Sequence, residues 1–465
     1  MEPGEAQPPP QRRRGGSRPG PGRGRLRAAI PHRGLQAALD RGDLRETLGR
    51  SQTVKATGLA LASMTGNVVQ AVFVATFAHV LGAASYGSLV RLVTAVVVLA
   101  VPGVALQAAT AREAALGRLG EGAEQTATLE RWARELAVVL VVVIAAGIVF
   151  RHQLASLVSV DESWAAAAML PTGVIWLMLS VERGALSGMH AYKPVGVSIV
   201  GEAVGRLAFA LVLTAIGLGV TGAFLGLPLT YLVVWVVLAR LLRRRLGAPH
   251  GPARRSLARL VIGARTPVAG LTLVFLLQNL DVFLVAHHAT KKAAGAYAGA
   301  ATAAKIAIWV AIGLAVYLLP EAARRAAAGR DPRPVLVRAA GIVAAVALPS
   351  LLVFTLVPDL LLRVALGPDF ERAAGALGLL GAAMSLLALV NLGVQYMLAL
   401  FQHRFLFLLG FVAALEPLLL LAAPSGLAPF AAMVLLTQAV AAAGMLVLAL
   451  RTRRLAIPAE APAPA

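Results

Sequence analysis

Apolar runs of roughly twenty residues recur along this chain from about residue 57 to residue 450, and the segments between them carry nearly all the charge. A run of that length crosses a bilayer core as an α-helix rising 1.5 Å per residue. The alternating ten-residue segments that membrane barrels need are absent from the sequence. The pattern predicts about twelve spans, near 57–80, 88–110, 136–150, 165–188, 195–218, 223–241, 263–286, 296–319, 339–357, 374–400, 405–423 and 428–450. The fold class is therefore an all-α integral membrane protein.

The middle of the pattern is broken by Arg240–Arg259, RLLRRRLGAPHGPARRSLAR, which has seven arginines, two prolines, two glycines and no acid. No helix carries that charge through hydrocarbon, and the arginine excess places the segment in the cytoplasm. It divides the chain into two six-helix lobes. The expected organisation is a disordered basic cytoplasmic tail (1–52), a first lobe (53–241), a basic cytoplasmic linker (242–260), a second lobe (261–451) and a cytoplasmic tail (452–465). Twelve spans put both termini in the cytoplasm, with Lys291 and Lys292 on an outer turn as the one exception to the charge rule.

Composition then narrows the function. The chain is 58% hydrophobic and 14% charged, with a net charge of +21. Inward-facing arginine accounts for that charge, so no nucleic acid partner is expected. The Pro, Gly and Arg-rich tail cannot bury a core; it reads either as a tether to anionic membrane lipids or as solvated chain. The chain has no cysteine, no phosphate-binding Gly-Lys-Ser/Thr loop and no metal-ligand spacing. Neither a metal nor another cofactor is expected, apart from possible coupling to H⁺ or Na⁺.

The two halves resemble each other. AASYGSLV after the first span matches AGAYAGAA after the seventh, aligning Tyr86 with Tyr297. With an even number of spans per half, the repeats are parallel, related by an axis along the membrane normal. Transporters built this way bind cargo between the halves and rock about it.

These segments carry a family resemblance. LGAASYGSLVRLVTAVVVL is similar to the LG..YG signature that opens polysaccharide flippases of the multidrug/oligosaccharidyl-lipid/polysaccharide (MOP) exporter superfamily. FLLQNLDVFLVAHHATKKAAGAYAGAATAAKI resembles the LD..L pattern of that family's seventh helix and its following YA.A. LVPDLLLRVALGPDFERAAGALGLL resembles its LLFG..Y..A...L segment. The chain departs from the family in having HHATKK where a short Gly-Pro turn is usual. The resemblance implies two six-helix lobes and export of a lipid-linked saccharide, carried on undecaprenyl diphosphate through a bacterial cytoplasmic membrane by alternating access. Polysaccharide polymerase and glycosyltransferases are the partners it suggests, and a cation-coupled multidrug exporter of the same superfamily is the alternative.

Ionisable residues at bilayer depth cost about 2.5–3.5 kcal/mol or more, so each needs a reason. Arg206 lies near the middle of the fifth span, with Glu202 one turn away on the same face. Glu182 and Arg183 on the fourth span reach a similar level. These four form either a cationic wall for a diphosphate or self-neutralising pairs that lock two helices. In the second half, Asp281 and Lys305 fall at similar depth and can pair, or Asp281 can hold a cation with Asn279 and Gln278. Glu416, followed by Pro417, has no partner nearby in the sequence and suits a proton carrier. Arg91 sits one turn inside the second span, where it can snorkel outward to meet a phosphate. Asn67 and Gln70 share a face of the first span and suit sugar hydroxyls or interhelical bonds. The expected binding residues are thus Arg206, Arg183, Arg91, Glu202, Asn67 and Gln70, and the expected coupling residues Asp281, Lys305, Glu416 and Asn279. No catalytic residue is expected, because the longest outer loops, of about fifteen residues, are too short to hold an enzyme site.

Overall fold

The computed structural model describes residues 52–452 except 264, 306–307, 310, 312–317, 319–320, 323–324 and 327–328. The basic N-terminal segment and nearly all of the C-terminal tail lie outside the described residues. Every regular element among the described residues is helical.

Helix α1 (Gln52–Ala115) contains the first two spans. They are separated only at Gly82, whose φ of 70° and ψ of 169° leave the helical region. Glycine takes a positive φ without a Cβ clash, so one residue replaces the turn expected over LGAASYG. Helix α2 (Ala123–Val149) begins well before the predicted third span, so the expected charged loop is mostly helix. Helices α3 (Arg151–Leu157), α4 (Ser163–Gly188) and α5 (Tyr192–Leu213) follow. A π-helical turn, Thr214–Leu218, then leads into α6 (Gly219–Leu246).

The second half comprises α7 (Leu257–Gly263), α8 (Arg265–His288), α9 (Lys291–Ala304), α10 (Arg333–Leu356), α11 (Pro358–Leu366), α12 (Ala374–Ala399), α13 (Phe405–Leu421) and α14 (Leu427–Arg451). The segment between the predicted ninth and tenth spans, which carries Asp359, Asp369 and Glu371, is structured as α11 and a 3₁₀ turn, Pro368–Ala373. Among the described residues, eight stretches are long and apolar enough to cross a membrane, and two of these, Thr65–Ala115 and Tyr192–Leu246, are long enough to cross it twice. Prolines 102, 171, 228, 349 and 417 sit inside spans.

The same pairs of helices pack in each half. In the first, α5 packs on α6, α4 on α6 and α2 on α4; in the second, α13 packs on α14, α12 on α14 and α10 on α12. The first arm of α1 touches α5 through Gly66 and Ile199, and its counterpart α8 packs on α13. The sequence repeat is therefore a structural one. Val141, Phe407 and Phe411 are among the large apolar side chains left exposed on the spans, which is the arrangement a lipid solvent permits.

At one end of the bundle, termed the distal face, the halves are in backbone contact. A Cβ on Gly295 would stand 1.7 Å from the Ala83 carbonyl oxygen, and one on Gly87 would stand 2.6 Å from Gly295 Cα. Small residues allow that approach, which is why the repeated Gly/Ala-Tyr segments read as they do. Tyr86 packs edge-on against Phe370 of the second half, with ring centroids 5.5 Å apart. Lys291 bridges to Asp161 at 2.5 Å.

At the opposite end, the hinge face, the linker is docked rather than free. Trp132 Nε1 donates to the Arg255 carbonyl at 2.9 Å, the Arg254 N–H donates to Thr128 Oγ1 at 3.2 Å, and the His250 N–H donates to the Ala123 carbonyl at 3.2 Å. Arg254 and Arg255 pair with Glu124 at 2.8 Å and Glu113 at 3.2 Å. The exposed ion pairs contribute little, about 0–1 kcal/mol each, whereas the bond from fully buried Trp132 is worth more. Replacing Trp132 by Phe should cost about 1–3 kcal/mol of thermal stability and speed trypsin cleavage at Arg254–Arg255. An unchanged cleavage rate would show that the linker is held by other means.

Candidate functional site

A cavity of about 190 Å³ lies between the halves. Gln70 and Tyr86 from the two arms of α1, Arg206 from α5, Asn279 from α8, and Thr302 and Lys305 at the end of α9 face it, with Phe73 and Trp309 among its aromatic walls. Two cations from opposite halves therefore meet one space, and no acid is among the described lining residues.

Each cation is held by uncharged groups. Arg206 Nη1 donates to Gln70 Oε1 at 2.9 Å, and its guanidinium carbon lies 4.1 Å from the centroid of the Phe73 ring. Its Nε is buried without a partner among the described residues. Phe73 offers its negative π-face to the charge, and Gln70 fixes the direction of the fork. Lys305 Nζ donates to Asn279 Oδ1 at 2.7 Å, and Asn279 in turn donates to the Phe275 carbonyl at 2.8 Å. Neither cation forms an ion pair among the described residues, so no described carboxylate within ion-pair distance competes with an incoming anion.

The other expected binding residues are placed differently. Arg183 takes Glu202 at 2.7 Å and also donates to the hydroxyl and carbonyl of Ser198. The shared helical face of Glu202 and Arg206 is real, but a deeply buried Arg183 on α4 claims the carboxylate. An uncompensated buried charge costs more than a partly exposed one. The expected four-residue cluster thus splits: Arg183–Glu202 clamps α4 to α5, and Arg206 turns to the cavity. Glu182, 4% exposed, lines a separate cavity within the first half. Arg91 does not snorkel outward; it is 3% exposed, and its one bond to a described residue is a long 3.4 Å donation to Ser88. It lies one turn beyond Gly87, where the two halves come into backbone contact. Asn67 is exposed and, unlike Gln70, makes no hydrogen bond to a described residue.

Asp281 and Lys305 do not pair. Asp281, fully buried, accepts from the Tyr297 hydroxyl at 2.9 Å. Glu416, also fully buried, accepts a 3.4 Å bond from Gln438, which donates to the Leu277 carbonyl at 3.0 Å as well. Asp281 Oδ1, Glu416 Oε2 and Gln438 Oε1 are left without partners among the described residues. The second half therefore carries two polar assemblies: Lys305–Asn279 at the cavity, and Asp281–Tyr297 with Glu416–Gln438 behind it.

The sequence did not single out Phe73, Thr302, Trp309 or Gln438, and marked Tyr86 and Tyr297 only as a repeat. A tyrosine at a buried helical position must find an acceptor for its hydroxyl, which was the available signal for Tyr297. Nothing local marked the others. Among the described residues, no group of three or more His, Cys, Asp or Glu gathers where it can hold a metal ion.

A family model described as polysaccharide biosynthesis protein matches residues 54–324. No curated protein matches the chain in sequence. Among solved structures, the chain is similar to an inward-facing multidrug resistance MATE family transporter of the MOP superfamily, with 14% identity and a TM-score of 0.65 over 85% of this chain and 97% of that one. It is similar to the lipid II flippase MurJ in an inward closed conformation, with 9% identity and a TM-score of 0.64 over 85% and 87%. An outward-facing MATE family transporter gives 17% identity and a TM-score of 0.56 over 86% and 96%. These neighbours are transporters and a flippase rather than enzymes, and they share the two-lobed helical fold.

Proposed function

The chain belongs to the polysaccharide biosynthesis protein family, and we propose that within this family of membrane flippases its cargo is an oligosaccharide linked to undecaprenyl diphosphate. The observation that carries the proposal is the pair of cations, Arg206 and Lys305, facing one cavity with no acid among the described lining residues. A diphosphate suits that pair: the arginine fork takes two oxygens and the ammonium a third. Gln70, Asn279 and Thr302 offer amide and hydroxyl groups to the first sugar, while the prenyl chain stays in lipid. The halves then open alternately to either face, so no continuous pore forms. A drug-exporting MATE-type cavity for cations would instead present acids to its cargo.

In this reading the hinge face is cytoplasmic by its arginine excess, both termini share that side, and the membrane is a bacterial cytoplasmic one. Glycosyltransferases would supply the cargo and a polymerase would consume it. Drive is assigned to the second polar assembly. Among the described residues Asp281 and Glu416 each have one oxygen without a partner and one bonded to an uncharged group, Tyr297 or Gln438, so a proton or Na⁺ taken up there meets no competing cation.

The test is flipping in liposomes. Purified protein reconstituted with a labelled prenyl-diphosphate oligosaccharide should expose it on the far leaflet, faster under an imposed H⁺ or Na⁺ gradient. Asp281→Asn should flip at a rate indifferent to both gradients. No exposure above protein-free liposomes would overturn the cargo, and gradient dependence retained in Asp281→Asn would overturn the coupling site.

A further inference from the structure

The first half contains a groove that shares no lining residue with the cavity between the halves. Its apolar part, about 330 Å³ between α2, α4 and α6, has a floor that includes Leu129, Met178 and Leu242. It shares Glu130 and Arg134 with a second, polar cavity of about 590 Å³ at the hinge face, which is walled in part by Pro249 and His250 of the linker. One groove thus runs from an apolar interior to a basic, solvent-facing mouth.

The polar groups along it have a definite order. Arg240 and Arg243 line it from α6 and Arg134 from α2. Arg134 and Arg240 form no ion pair among the described residues, and Arg243 has only a 3.8 Å contact with Glu130. Two buried polar atoms on groove-lining residues have no partner among the described residues, Glu182 Oε2 and Trp235 Nε1. At 1.5 Å per residue, Glu182 and Arg240 each lie about 9 Å from the hinge-face ends of their helices, and Trp235 about 8 Å deeper than Arg240.

We propose that this groove binds one anionic glycerophospholipid of the surrounding membrane, distinct from the cargo. Its phosphate meets Arg134, Arg240 and Arg243, a headgroup hydroxyl donates to Glu182, and a deeper ester carbonyl accepts from Trp235 Nε1. An acyl chain covers the apolar floor. The charge balance selects an anion, and the apolar interior selects a lipid over free phosphate. Because the linker forms one wall, bound lipid joins it to α2 and α6.

Trp235 provides the readout. The protein in nanodiscs of neutral lipid is titrated with phosphatidylglycerol brominated on its acyl chains, which quench tryptophan on contact, and in parallel with brominated phosphatidylcholine. The expected result is a saturable quenching component with phosphatidylglycerol alone. Trp235→Phe should abolish that component, and the exposed-residue variant Arg134→Gln/Arg240→Gln should shift it by about tenfold or more to higher lipid fraction. Equal curves for the two lipids, or a phosphatidylglycerol curve unchanged in the double variant, would reduce the groove to ordinary lipid contact. Displacement of phosphatidylglycerol by prenyl diphosphate would overturn the proposal by assigning the groove to the cargo path.

Discussion

With the proposed cargo, replacing Arg206 by glutamine should slow protein-dependent exposure of a prenyl-diphosphate oligosaccharide in liposomes by about ten- to a hundredfold. That follows from the loss of one charge-assisted hydrogen bond to phosphate, worth about 1.5–3 kcal/mol. The fold should survive, because Arg206 is bound in the protein by Gln70 and the Phe73 ring rather than by a carboxylate. Removing it strands no buried counter-charge. Arg206→Lys should fall between the two, keeping the charge but losing the fork and most of the stacking. Lys305→Met should lower the rate further in the double variant if both cations hold one diphosphate. A wild-type rate in Arg206→Gln, measured on protein with an unchanged size-exclusion profile, would remove the cavity from consideration as the headgroup site.

Gly295→Val should hold the molecule open at the distal face and reduce flipping by more than about a hundredfold. The added Cβ would stand 1.7 Å from the Ala83 carbonyl oxygen and 2.5 Å from its carbon. Both are backbone atoms of a helix, which cannot step aside as a flexible side chain can. Overpacking of this kind costs about 3 kcal/mol or more, enough to depopulate the closed state that alternating access requires. The chain has no cysteine, so spin labels at Asp161→Cys and Lys291→Cys report the distal face without background. Those two residues are largely exposed, so losing their ion pair changes little. Electron-resonance distances in Gly295→Val should lengthen and narrow to one open population. Distances like those of the unsubstituted glycine protein, together with retained flipping, would show that the crossing relaxes around valine.

Much of the site was legible one residue at a time. Arg206, Gln70, Lys305 and Asn279 are expensive in hydrocarbon, so their presence in apolar runs marked them whatever their neighbours. What was not legible was which of them meet. Helical spacing put Glu202 beside Arg206, and depth counting put Asp281 beside Lys305. In the folded chain Glu202 goes to Arg183, Asp281 to Tyr297 and Lys305 to Asn279. Depth along a span can be counted from its ends, but rotation about the span is set by packing against neighbouring helices. In apolar helices hydrophobic on every side, no amphipathic stripe records that rotation. Arg91 failed for the same reason: whether a residue one turn from a helix end snorkels depends on what packs around it, and Arg91 is buried.

By itself, the sequence determined the class of the protein, the order of the spans it shares with the described helices and the likeness of one half to the other. Those properties follow from the cost of placing charge or unsatisfied backbone in hydrocarbon, which is large and acts locally. The tertiary structure alone decided that the linker is docked on α2, that Gly87 and Gly295 seal one face, and that Arg206 and Lys305 share a cavity while Asp281 and Glu416 stand behind it. Those depend on which faces of the helices meet, and that choice is made by close packing of small residues and by the competition of buried charges for a limited set of partners.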